Sequence, residues 1–166
     1  MENGFYKVGA ECRKDQLLKI GEKNWLLIIG YYEDEVTGGY NWRKNYKHKP
    51  TIGEMRVDVD ELMNCITERR ILSGYVWMGK RVWLSQENQF NFKAAYDLAV
   101  QSGGANLPVT FKLGEDGFGN ALYHTFDVLG DLQDFYVGCV NHVLDCINEG
   151  WKEKDSVDYS VLLSDV

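Results

Sequence analysis

Gly74-Tyr75-Val76-Trp77-Met78-Gly79-Lys80-Arg81-Val82-Trp83-Leu84 sets two short aromatic and β-branched runs around a Gly-containing turn. Such residues suit a pleated, half-buried surface and glycine suits a tight reversal, so the stretch predicts a β-hairpin. What flanks it decides the fold class. Upstream, Thr51-Ile52-Gly53-Glu54 has the capping-box pattern, in which the Thr hydroxyl and the Glu carboxylate each satisfy an orphan backbone N–H. Ile52, Met55, Val59, Leu62, Met63 and Ile66 then recur at helical steps, predicting a helix over 51–71 that stops near Gly74. Downstream, Ser85 opens a second helix with Asn88 in place of a capping Glu, an inner face of Phe92, Ala95, Leu98 and Ala99, and an end near Gly103-Gly104.

The same alternation extends outward. The run 24–32, rich in Leu, Ile and Tyr, and the segment 40–47 flank the polar turn Glu33-Asp34-Glu35-Val36-Thr37-Gly38-Gly39, predicting a hairpin. In the second strand Tyr40, Trp42, Lys44 and Tyr46 share one face, and Asn41, Arg43, Asn45 and Lys47 share the other. Another hairpin is expected from 109–113 to 121–126, turning through Gly114-Glu115-Asp116-Gly117-Phe118-Gly119-Asn120. A long helix follows, whose stripe runs through Leu132, Phe135, Tyr136, Cys139, Val140, Val143, Leu144 and Ile147. Hairpins separated by helices mean antiparallel pairing, so the expected class is α+β, antiparallel β-hairpins alternating with three α-helices. The expected division is a β-rich segment over 1–50, an α+β domain over 51–158 and a tail over 159–166.

Composition narrows the function. The 166 residues suit one domain or a domain with a small appendage, and 45% apolar against 26% charged residues fits a packed core. With 18 Lys+Arg against 25 Asp+Glu the net charge is −7, which opposes wholesale wrapping of nucleic acid. No apolar run approaches the roughly 18 residues of a membrane span, and Met1-Glu2-Asn3-Gly4 lacks a basic-then-apolar leader. A soluble chain made without export is expected, with Cys12, Cys65, Cys139 and Cys146 as reduced, buried thiols.

Candidate chemistry is sparse. Cys139, His142 and Cys146 can share a helix face, but zinc needs a fourth donor or an open water position, and this face is also the apolar stripe. No metal or other cofactor is therefore expected, and His142 reads as a core-edge histidine with a satisfied hydrogen bond. His48, His124 and His142 lie in no nucleophile motif, and Asp58, Asp60 and Glu61 read as a solvated helix face. Asp116 to Asn120 lacks the alternating acids of a calcium loop and reads as a turn. No catalytic residue is assigned.

Aromatic residues are abundant, with five Trp, ten Tyr and seven Phe, and large rings dominate interface anchors. The strand bearing Trp42, Arg43, Lys44, Tyr46, Lys47, His48 and Lys49 combines rings with cations, and edge strands carry such cations to resist aggregation. Tyr40, Trp42, Tyr46, Tyr75 and Trp83 are the rings expected to contact a partner. Replacing Trp42 and Tyr46 should then weaken capture and spare stability.

Glu68 to Ser85, Glu87 to Tyr96, Leu107 to Asp116 and Asn148 to Asp155 together resemble a family of small phage and prophage proteins. The family carries a domain of unknown function, and its members tend to be encoded beside tail or tail-fibre genes. The resemblance runs over about residues 67–158 and more thinly over 22–66. It implies a non-enzymatic tail-associated protein acting by protein–protein contact, in tail or tail-fibre assembly or as a small virion component. It places the chain in the host cell cytoplasm during assembly and in the virion tail, with self-association suggested by the symmetry of such assemblies. Its hairpin signature also suggests that Trp77 and Trp83 pack across the strands and that Ser85, Asn88 and Asn91 tie helix to turn. A carbohydrate-binding tail-tip module, using the same rings as stacking platforms, is the second reading.

Overall fold

The structure, a computed structural model, describes residues 4–164; the chain's opening at 1–3 and the last two residues of the expected tail lie outside the described residues. The elements run β1 (Tyr6–Gly9), β2 (Gln16–Lys19), β3 (Trp25–Asp34), β4 (Gly38–Tyr46), α1 (Ile52–Gly74), β5 (Tyr75–Trp77), β6 (Lys80–Val82), α2 (Gln86–Gln101), β7 (Val109–Glu115), β8 (Ala121–Phe126), α3 (Leu129–Asp155) and the short α4 (Tyr159–Ser164). The class is α+β, with every strand pairing antiparallel. Two compact units form. One comprises the described residues up to Cys65 and from Trp151 onward, the other Ile66–Gly150. The boundaries expected from sequence lie at residues 50 and 159. The division falls instead inside α1 and α3.

The first unit holds a four-stranded sheet in the order β1-β4-β3-β2. Its central hairpin follows the sequence. The Asp34 carboxylate accepts hydrogen bonds from Val36 N and Thr37 N in the turn, and Gly38 takes φ +68, which glycine adopts without strain. β1 and β2 were not expected, because each is only four residues long with no sustained alternation. They form because β3 and β4 would otherwise leave their outer N–H and C=O groups unpaired. A bulge lies between Ile29 and Tyr32, where Gly30 takes φ +69. Gly30 N donates to Asp15 Oδ1 at 2.6 Å, and the buried Asn41 amide donates to Gly30 O and, at 3.2 Å, to Cys12 O.

The capping box at α1 forms as read: Glu54 N donates to Thr51 Oγ1 at 3.2 Å and Thr51 N to Glu54 Oε2 at 2.8 Å. Thr51 N and the Thr51 hydroxyl, both donating to the Glu54 carboxylate, with His48 beside it, hold the Glu54 pKa below the ordinary value. Met55, Val59, Leu62 and Met63 are buried, whereas Ile52 at the helix start is exposed. The tail folds as α4. Asp158 Oδ1 accepts from Ser160 N and Val161 N, and Val157, Tyr159 and Leu162 are buried.

The second unit centres on rings. Phe135 on α3 is fully buried, with ring centroids of Phe126 at 4.9 Å, Phe92 at 5.0 Å and Trp77 at 5.5 Å. Edge-on and tilted packing at these separations suits the quadrupoles of the rings. Between β5 and β6, Trp77 pairs with Lys80 across a two-residue turn in which Met78 and Gly79 both take positive φ. Trp77 and Trp83 do not pack across this hairpin: Trp77 points into the ring cluster, and Trp83 lies one residue beyond β6. The 116–120 turn forms as read: the Asn120 side-chain amide donates to Asp116 Oδ2, and Asn120 N and Phe118 N donate to Asp116 Oδ1, which together keep that carboxyl below its ordinary pKa.

Candidate functional site

Three of the five rings expected at a contact surface are in the core. Tyr40, Trp42 and Tyr46 are buried, Trp42 to 3% exposure. β4 is an inner strand, not an edge, because β1 covers its free side. α1 covers the ring-bearing face. Tyr46 Oη donates to Asp58 Oδ2 at 2.7 Å, Lys44 Nζ lies 2.7 Å from Asp58 Oδ1, and Tyr32 Oη meets Met63 Sδ at 3.3 Å. Asp58 is thus a buried-side partner and not part of a solvated face. Burial first, and then the bond to Asp58, pushes the Tyr46 hydroxyl far above its ordinary pKa. Lys7 sits 4.2 Å from the Tyr40 ring centre and pairs with Asp34, so Lys7, like Lys44, is neutralised within the fold.

The remaining two rings belong to the second unit. Tyr75 is half-buried, with Phe135 at 6.4 Å and His142 at 5.6 Å between ring centres, and burial raises its hydroxyl to about 12. The His142 ring is satisfied as expected: Nε2 lies 3.0 Å from Arg70 O, and Cys146 Sγ is 3.5 Å away. Burial lifts the Cys139 thiol to about 12, which disfavours the thiolate a metal would need. Among the described residues no three His, Cys, Asp or Glu side chains gather around a possible cation position. The four cysteines are unpaired, and Cys12 is exposed, against the expectation that all four are buried.

Trp83 is open, at 48% exposure, and borders a cavity of about 500 Å3. The cavity is built by a close approach of two hairpins. Trp83 N donates to Leu113 O at 2.6 Å, and a Cβ on Gly114 would stand 2.8 Å from Arg81 O, so only glycine lets β7 come this near. The α2 cap braces the rim: Asn88 N donates to Ser85 Oγ at 3.2 Å, and Asn88 Nδ2 to Trp83 O at 2.7 Å. Arg81, Lys112, Glu115 and Ser73 complete the polar lining. Lys112 Nζ and Glu115 Oε1 pair at 2.7 Å, which raises the Lys112 pKa.

A second surface was hidden in the sequence. The stripe read on α3 is wider than the buried one, so Val140 and Leu144 emerge beside α2, Leu144 at 51% exposure. Phe90 on α2 is 71% exposed, and with Lys93 these side chains border an apolar groove of about 290 Å3 floored by Phe92 and Cys139. Val137, one helical step before Val140, extends the exposed row. Leu98, expected to face inward, is exposed too.

Comparison with protein-family models, with curated proteins and with solved structures finds no match. The chemistry must therefore be read from the two surfaces themselves. The Trp83 cavity is lined by the ion pair of Lys112 and Glu115 and by the hydrogen-bonding groups of Ser73, Arg81 and Asn88. The α2–α3 groove is lined mainly by apolar side chains, with Gln89, Tyr136, Cys139 and Lys93 among them, and Lys93 is tied to Asp97.

Proposed function

We propose that this chain is a non-enzymatic, phage tail-associated protein that acts by protein–protein contact, in tail or tail-fibre assembly or as a small virion component. The observation that carries the contact reading is the row of Phe90, Val137, Val140 and Leu144, large apolar side chains left in water along two packed helices. Contiguous exposed carbon of this kind is costly to leave solvated and marks interaction sites. The partner of fitting chemistry is an apolar helix or strand face of a tail or tail-fibre protein, which would bury Phe90 at the centre and leave Lys93 and Asp97 at the rim. The tail setting rests on the resemblance of 67–158, with the host cytoplasm during assembly and the virion tail as locations.

The test is the double variant Phe90→Ser, Leu144→Ser, expressed in phage-producing cells with tail and tail-fibre proteins. Co-purification of a tail or fibre protein should fall about tenfold or more, since each buried large side chain contributes about 1.5–3 kcal/mol. The melting temperature should stay within a few degrees, because both residues are solvent-facing. Undiminished co-purification by the double variant would contradict the proposal.

A further inference from the structure

We infer that the cavity beside Trp83 is a binding site for an acidic saccharide, a sugar chain carrying carboxylate groups. This goes beyond the protein contact proposed for α2 and α3 and uses none of its residues. The size fits a small-molecule ligand, since about 500 Å3 lies within the usual 300–1,000 Å3 of such sites. The lining gives the ligand class. Trp83 offers an indole face to the C–H face of a sugar ring, and polar groups surround it that can both donate and accept. Ser73 Oγ, whose proton goes to Arg69 O at 3.0 Å, remains an acceptor. Asn88 spends its amide N–H on Trp83 O and keeps its carbonyl oxygen for a hydroxyl.

Charge separates an acidic sugar from a neutral one. Lys112 and Glu115, three residues apart on β7, neutralise each other. Arg81 is exposed and has no side-chain partner among the described residues, in a chain whose net charge is −7. An unpaired guanidinium beside a stacking ring recognises a planar carboxylate held in two parallel hydrogen bonds. A peptide strand is a poorer occupant, because Trp83 N is already spent on Leu113 O and cannot pair with an added strand.

The test is an NMR titration of the full chain with a uronic-acid oligosaccharide, a neutral glucose oligosaccharide and inorganic phosphate at matched ionic strength. The uronate should move the Trp83 indole N–H signal at millimolar concentration, and the neutral sugar should bind about tenfold more weakly. Arg81→Gln, at an exposed position that leaves the strands intact, should bring the uronate down to the affinity of the neutral sugar. The signals of the α2–α3 groove should stay still, so failure here leaves the protein-contact reading standing. No shift with the uronate, equal affinity for the neutral sugar, an Arg81→Gln protein that binds the uronate undiminished, or a phosphate response as strong as the uronate's would each overturn the inference.

Discussion

Tyr40-Asn41-Trp42-Arg43-Lys44 and Lys80-Arg81-Val82-Trp83 look alike in sequence, since each sets rings beside cations on a strand. Their fates are opposite. In the first, Trp42 is 3% exposed, Lys44 and Asp58 pair at 2.7 Å with side chains 17% and 18% exposed, and strands lie on both sides. In the second, Trp83 stands just past the end of a three-residue strand and Arg81 reaches solvent. Composition therefore says that a ring and a cation are neighbours. Whether they hold the fold together or face a ligand depends on what the rest of the chain lays over them.

The contrast can be broken most forcefully at Trp42. Trp42→Ala should cost about 3–5 kcal/mol in urea unfolding, the usual loss for a large buried ring. A loss near zero would return this strand to the surface. Asp58→Ala comes next, at about 1.5–3 kcal/mol, since it removes a charge-assisted hydrogen bond from Tyr46 and the ion-pair partner of Lys44. A double cycle with Lys44→Ala should show the two changes to be coupled.

The second unit supplies a pH-dependent effect. The Cys139 thiol is raised from 9.0 to about 12 in the fold, so the folded state keeps a proton that the unfolded chain releases. That contribution is fully present below pH 9.0 and declines as pH rises through about 12. Urea midpoints measured across this range should fall less steeply in Cys139→Ala than in the parent; identical slopes would remove Cys139 from the account. The smallest effect belongs to Trp83→Ala, expected to change stability by about 0.5 kcal/mol, as substitutions at solvent-facing positions do. A loss comparable to that at Trp42 would make the two strands equivalent after all.

Most of the fold was legible where signals were local. The Thr51–Glu54 box, the hairpin through Gly79 and the Asp116 turn depend on residues a few positions apart, and each formed as the sequence reads. The strands Tyr6–Gly9 and Gln16–Lys19 were not legible, because a four-residue strand is defined by the edge it completes. Missing β1 made β4 look like an edge, and the docking of α1 on one face of the sheet, which no local spacing announces, is what buries Tyr40, Trp42 and Tyr46. At the α2–α3 groove the signal was present but ambiguous. An apolar stripe wide enough to include Val140 and Leu144 reads as core unless the neighbouring helix is known to leave its margin open. Trp83 is legible as an aromatic residue at a hairpin end, whereas the cavity beside it depends on Gly114, far off in the chain, whose place against Arg81 no spacing rule gives.

Exchange of the tryptophan indole protons with heavy water, followed by NMR and assigned by single substitutions, compares the two strands in one sample. With Trp42 sealed beneath α1 and Trp83 facing solvent, the Trp42 indole proton should persist until the chain unfolds globally, and the Trp83 proton should be gone from the first spectrum. Simultaneous loss of both, or earlier loss at Trp42, would contradict the claim that one ring holds the fold while the other is free to bind.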